Sequence, residues 1–598
     1  MKSVLTLLSF TCSIAALPAR ADLHLSKNGA EPLPVIIAPD AAAPERTAAA
    51  ELAATLKEIT GASFTVSESA TVGEGGMILV GPGAAAKAAF ADVAFDALAP
   101  EEFVIRTNAG KLLLAGGRPR GTLYAVSRFL QDQCGVRWWT PWASRFPKNP
   151  SLSVGDLNVK NKPAFEYRSS YWMPAFDAAW AWHNMTNGLA SNHTPELGGH
   201  VIYKGFVHTF YPLVPPEKHF AAHPEWYSLI NGKRTTDHAQ LCLTNPALRE
   251  FVTGRIKEWL RESPDAGIIS LSQNDWHGAC QCPDCKALDD REGSHSGTML
   301  AFVNDVAERI APDFPKVAVD TLAYQYTRKP PQTLKPRPNV IVRLCSIECN
   351  FREPLDHPSN AAFADDIRGW SKCSERLYVW DYTTNFAHYV QPQPNWFTLG
   401  PNLRFFHAHH VRGVFEQGAY QSHGSEMSEL RAWVLAQLLW NPQQDDRALI
   451  REFLDGYYGA AAPAIGRYLQ HLHQASQGFN LTCYAPTDAP YLNFANLSEA
   501  ERLWQEAETA VTTDPERLVR VKLARLPLHY VWISRWDALR AECTAASGKW
   551  PLPESRRQAA EQWLAVAAGV EGKPWTKITK INEGGQSPQT WAAPFLQN

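Results

Sequence analysis

Between Lys160 and Asn441, short apolar runs rich in β-branched and aromatic residues alternate with longer segments of helical periodicity. The runs are EYRSSYW (166–172), GFVHTFY (205–211), QLCLT (240–244), IISLSQND (268–275), VAVDTLAY (317–324), VIVRLCSIE (340–348), RLYVWDY (376–382) and GVFEQGA (413–419). The helical segments include NPALREFVTGRIKEWLRES, GTMLAFVNDVAERIAP, NAAFADDIRGWSKC, PNLRFFHAHHV and SEMSELRAWVLAQLLW. Eight β-type runs in about 280 residues match the rhythm of a (β/α)8 TIM-type barrel. The competing doubly wound sheet would place a glycine-rich phosphate loop after a strand, and none follows any run here.

The flanking blocks read differently. Residues 22–157 alternate LPVIIAP, MILVG, EEFVIRT and KLLLAGG with two helical stretches, APERTAAAELAATLKEITG and GTLYAVSRFLQDQCG, which predicts a small α/β domain. Residues 442–598 are mostly helical and predict a bundle. At the start, Lys2, the apolar VLTLLSFTCSIAAL and the small-residue Ala-Arg-Ala ending at Ala21 form a cleavable signal peptide pattern over residues 1–21. The expectation is a secreted or periplasmic protein, with no later apolar run long enough to span a bilayer.

Composition narrows the function. The chain has 57 Lys and Arg against 60 Asp and Glu, with no basic stripe, which argues against a nucleic-acid partner. The 21 Trp, 18 Tyr and 26 Phe are abundant; most pack cores, and some have the flat apolar faces on which sugars stack.

In a (β/α)8 barrel the functional groups sit at the C-terminal ends of the strands. At those ends stand His208, then Asn274, Asp275 and Trp276, then Tyr324 and Tyr326, Glu348, Asp381 with Tyr382, and Glu416. Acids placed after apolar strands are poorly explained by surface solvation, and paired carboxylates are what glycosidic cleavage requires: one protonates the leaving oxygen while another group attacks or steadies the oxocarbenium-like centre. Asp275 and Glu348 are the expected catalytic pair, their order open. Asn274, Trp276, His208, Tyr324, Trp380, Asp381, Tyr382 and Glu416 are the expected substrate-binding groups. No cofactor is implied, no metal is assigned to this site, and the expected partner is an oligosaccharide or glycoprotein glycan.

Two resemblances add to this. The helix AAAELAATLKEITG and the stretch GGRPRGTLYAVSRFLQDQCGVRWWTP resemble the N-terminal accessory domain of α-glucuronidases and β-hexosaminidases. AHPEWYSLINGKR, QLCLTNPALREF, LSQNDWHGACQCPDC, GSHSGTMLAFVNDVAERI, VDTLAYQYTRKPP and VIVRLCSIECNF resemble glycoside hydrolase family 163, within a broad group of exported bacterial barrel proteins of the DUF4838 type. That resemblance implies a retaining-type endo-β-N-acetylglucosaminidase, in which a substrate 2-acetamido group can replace the protein nucleophile and one carboxylate orients the amide. The alternatives are a non-catalytic carbohydrate-binding barrel and a uronic-acid-specific glycosidase, whose mark would be Arg343 or Arg168 aimed into the mouth.

CQCPDC, with Cys280, Cys282 and Cys285, follows Asp275 closely. With Cys242 or His277 these could form a structural zinc site; disulfides or free thiols are the alternatives. In each case they brace a loop, and the reaction belongs to the acids.

Overall fold

The computed structural model describes residues 22–597, so the expected signal segment lies outside the described residues. Contacts divide the chain into two compact units, residues 22–135 with 146–161, and residues 136–145 with 162–597.

The first unit is built on a six-stranded mixed sheet in the spatial order 158–161, 103–108, 111–116, 77–80, 35–37, 66–68. The two helices that the periodicity predicts are present as Ala43–Thr60 and Gly121–Asp132, with a short helix, Ala84–Ala89, between them in the chain. The first begins where Glu45 Oε2 accepts the Ala42 backbone N–H at 2.9 Å, and ends at Gly61, whose φ of 81° is a left-handed stop that favours glycine.

The second unit contains one seven-stranded, all-parallel sheet. Its strands are β1 (Tyr167–Tyr171), β2 (Tyr203–Lys204), β3 (Ile268–Ser270), β4 (Ala318–Ala323), β5 (Val340–Cys345), β6 (Leu377–Tyr382) and β7 (Val411–Gln417). They pair in the order β1-β7-β6-β5-β4-β3-β2. The described strands therefore make a curled parallel sheet with helices around it, and a full eight-stranded barrel is not formed. At the open side Asn187 joins the two edges: its Oδ1 accepts the Arg168 N–H at 2.9 Å, its N–H donates to Arg168 O, and its carbonyl accepts from Val201 N–H.

Two expected strands are absent. GFVHTFY is replaced by the two-residue β2 just before it, because Gly205 and His208 have φ of 61° and 56° and break any extended run. In QLCLT, the Gln240 N–H donates to Gly278 O and the Cys242 N–H to Trp226 O, so this segment is bonded to loops instead of a sheet neighbour. The other six runs hold strands.

The sheet interior is packed in layers. Arg343 on β5 is buried, donates from Nε and Nη2 to Asp320 Oδ2 on β4 at 3.1 and 3.0 Å, and lies 4.6 Å from the Phe206 ring centroid and 4.8 Å from that of Tyr203. The Tyr378 ring crosses so close to β7 that a Cβ on Gly413 would come within 2.6 Å of it. Helix Ser428–Trp440 is buried on every face. It lies against the sheet through Ser170 Oγ, which donates to Ala432 O at 3.1 Å, and the C-terminal helices continue this same unit.

Candidate active site

Strand register decides which side chains reach the mouth. Side chains alternate along a strand, so every second residue faces inward. Tyr171, Gln417 and Tyr382 are in register across β1, β7 and β6, as are Phe415, Trp380 and Cys345 one layer down. Together with Leu322, Tyr324 and Ile347 these residues line a cavity of about 340 Å³ at the C-terminal ends of the strands. Phe206, Val207, His208, Asp275, Tyr420, Tyr484 and Glu583 complete its wall.

Asp275 projects from the loop after β3. That loop is held by Gln240, whose Oε1 accepts the Asn274 N–H at 2.9 Å and whose Nε2 donates to Asn274 O and Trp276 O at 3.2 and 2.6 Å. Asn274 Nδ2 and Trp276 Nε1 both donate to Ala239 O, and Gly278 packs so tightly that a Cβ there would lie 2.2 Å from His238 O. The Asp275 side chain itself stays 61% exposed into the mouth. Its Oδ1 accepts the Tyr324 hydroxyl at 3.0 Å and lies 3.8 Å from His208 Nε2. His208 Nδ1 is 2.8 Å from Gln273 O, an acceptor, so Nδ1 carries the proton and Nε2 faces Asp275. Burial and the Asp275 charge push the Tyr324 hydroxyl far up, which keeps it a donor.

The second acid of the cavity is Glu583. It arrives from the C-terminal segment 578–586, which runs beside the loop after β6: Tyr389 N–H donates to Ile581 O at 2.7 Å and Glu583 N–H to Phe386 O at 2.9 Å. Trp380 Nε1 donates to Gln417 Oε1 at 2.8 Å, and Gln417 Nε2 donates to Glu583 Oε1 at 3.1 Å, so a fixed relay aims the carboxylate. Burial and the charge of Asp275 raise the Glu583 carboxyl above the ordinary glutamate range, against the pull of the Gln417 hydrogen bond.

Of the residues expected from sequence, Asp275, His208, Tyr324, Trp380 and Tyr382 meet on this cavity. Asn274 and Trp276 brace the Asp275 loop from behind. Glu348 is outside the lining and accepts from Arg328 Nη1 at 2.7 Å. Asp381 and Glu416 are opposite one another on β6 and β7, but on the outward row with Ser170, facing the helices. Asp381 accepts from Ser346 Oγ and from the Tyr382 N–H, and burial raises it to about 6. Burial, with Asp381 beside it, raises Glu416 far above its ordinary range. Arg343 is spent on Asp320, and Arg168 donates to Met185 O and Phe165 O. Sequence reading missed Glu583, Gln417, Tyr420 and Tyr484. For Gln417 the signal was present, since it stands one residue beyond an outward-facing acid on the same strand. For Glu583, in a helical block remote from the barrel pattern, there was none.

A parallel sheet with acids and aromatic rings gathered at the C-terminal ends of its strands has its cavity on the face where barrel-type folds carry their functional groups. The family model described as "Domain of unknown function (DUF4838)" matches residues 138–470, and the chain belongs to that family. The model "Glycosyl hydrolase family 67 N-terminus" matches residues 22–129, in line with the accessory-domain resemblance. No curated protein matches. Among solved structures the chain is similar to that titled "A novel family GH115 4-O-Methyl-alpha-glucuronidase, BtGH115A, with specificity for decorated arabinogalactans", with a TM-score of 0.59 and 14% identity over 93% of this chain and 78% of that one. It is also similar to the structure of a "GH138 enzyme targeting pectin rhamnogalacturonan II", with a TM-score of 0.45 and 11% identity over 94% of this chain and 97% of that one. The likeness to the first is one of fold. Among the described residues no helix is long and apolar enough to cross a membrane.

Proposed function

We propose that this protein is an exported glycoside hydrolase in which Glu583 is the general acid and Asp275 the partner carboxylate. The observation that carries the reading is the presence of both carboxylates on one aromatic-walled cavity, with unequal surroundings. Glu583 is partly buried and its carboxyl is raised above the ordinary glutamate range, the direction a general acid needs. Asp275 is exposed to the mouth, and its carboxylate oxygen accepts a phenolic hydrogen bond. Trp380 and Tyr382, stacked at 19° with centroids 5.9 Å apart, offer the apolar face for a sugar ring, and Tyr484, 50% exposed, stands at the rim.

The finer reading is cleavage of a β-linked N-acetylglucosaminyl bond in a complex glycan, in the manner of family 163. Its support is the sequence resemblance and the Asp275–Tyr324 pair: a carboxylate next to a phenolic donor can take the N–H of a 2-acetamido group, and the hydroxyl, turned from Asp275 to the substrate, can steady its carbonyl. The GH115-titled structure, an α-glucuronidase, suggests a uronic acid instead. Against that, the described residues lining the cavity include no Arg or Lys, and a substrate carboxylate would sit between two acids without a counter-charge.

The test is hydrolysis of a panel of N-acetylglucosaminyl and uronosyl oligosaccharides. Glu583→Gln is expected to lower kcat on an oligosaccharide by roughly 10²–10⁴-fold. It should leave an aryl glycoside, whose leaving group needs no proton, far less affected. Asp275→Asn should slow both. A folded wild-type chain that binds these glycans and releases no product would refute hydrolysis in favour of a binding role.

A further inference from the structure

Beside the Asp275 loop, and separate from the cavity, Cys242, Cys280, Cys282 and Cys285 converge. All four are buried, and their sulfur atoms lie within 4.8 Å of one another. We infer that these four cysteines hold a structural zinc ion as a closed tetrathiolate site. This does not depend on the proposed reaction.

The geometry is that of one tetrahedron. A zinc–sulfur distance of about 2.3 Å separates ligand sulfurs by about 3.8 Å, and Cys242 and Cys282 Sγ are 3.6 Å apart. The ligands come from two chain segments, with Cys282 capping helix Pro283–Glu292 and Cys285 in its first turn. Hydrogen-bond donors are aimed at one sulfur, as thiolate ligands require: the Leu229 N–H at 3.3 Å and Arg234 Nη1 at 3.6 Å from Cys280 Sγ; the Thr244 hydroxyl, 3.1 Å from Cys285 Sγ, is placed to donate to a thiolate there. Four thiolates around Zn²⁺ leave two negative charges, and Arg234 offsets part of them. Four protein ligands leave no open position, so the ion is structural. His277, the other ligand weighed from sequence, is exposed and faces the Tyr326 ring 5.8 Å away.

The position gives the ion a task. Cys242 follows Gln240 by two residues and Cys280 follows Gly278 by two, and Gln240 N–H donates to Gly278 O at 3.0 Å. Zinc therefore staples together the two segments that clamp Asn274, Asp275 and Trp276, a positioning role for the carboxylate.

Elemental analysis of the full chain purified without chelator is expected to give about one zinc per chain. Exchange with Co²⁺ should produce the intense near-ultraviolet thiolate-to-metal bands and the visible bands of a tetrahedral site. All four cysteines should resist a thiol reagent until the protein is denatured with chelator. Cys242→Ser should lose the metal and lower Tm; should that variant fail to fold, the wild-type metal and thiol counts decide alone. Disulfides among these cysteines with no bound metal, or stoichiometric iron in place of zinc, would overturn the assignment. None of these readouts uses glycan cleavage, so they stand or fall apart from the proposed function.

Discussion

The side chains of the mouth divide labour through small differences in solvation. Glu583 and Asp275 line one cavity, and the charge of Asp275 is one of the causes that raise the Glu583 carboxyl. Removing that charge in Asp275→Asn should lower the Glu583 pKa, while burial, the larger cause, keeps part of the elevation. A carboxyl-labelled NMR titration of Glu583 in both proteins checks this; an unchanged midpoint would contradict it. For the wild type the sign is set by the acid. In the proposed mechanism hydrolysis needs Glu583 protonated, so kcat should fall as pH rises through its raised pKa, and Glu583→Gln should lose that alkaline limb. At this scale the sequence was half legible: Asp275 was visible as an acid following an apolar strand, and Glu583 was not, because a carboxylate on an irregular segment carries no periodic mark.

Strands explain the remaining differences. Most were plain from apolar runs, but a run marks where a strand is and leaves open which of its two faces looks inward. Asp381 and Glu416 stand at strand ends and still point to the helices, whereas Trp380, Tyr382 and Gln417, one position away, reach the cavity. Two expected strands failed for another reason: positive φ at Gly205 and His208 and the commitments of Gln240 are set by loop geometry that propensity does not register. The outward row has its own signature. Burial raises the Asp381 carboxyl from 3.8 to about 6. Between those values the folded protein holds a proton that the unfolded chain has released, so this residue's effect is to lower stability as pH climbs through the window and to level off above it. The full effect is about 3 kcal/mol. Urea denaturation between pH 4 and 7.5 should show a flatter profile for Asp381→Asn than for the wild type; identical slopes would show that Asp381 does not titrate in this way.

At the scale of the molecule, the cavity is assembled from chain segments far apart in sequence. The family match ends at residue 470, yet one acid of the cavity, Glu583, comes from segment 578–586, and the lining residue Tyr484 also lies beyond the match. That segment is tied to the sheet-end loops by backbone bonds, with Thr579 N–H donating to Ser422 Oγ at 2.9 Å in addition to the contacts at Tyr389 and Phe386. A bound oligosaccharide touching both acids should slow amide exchange in residues 273–278 and 578–586 together, measured by mass spectrometry on Glu583→Gln so that the ligand survives. Protection confined to the first segment would remove Glu583 from the substrate site.

Because the proposed proton donor comes from segment 578–586 and its partner acid from the loop after β3, folding of the sheet alone would supply one acid of the proposed pair and leave the other unplaced. Hydrolytic competence, in the proposed reading, then waits on the docking of segment 578–586 against the sheet-end loops.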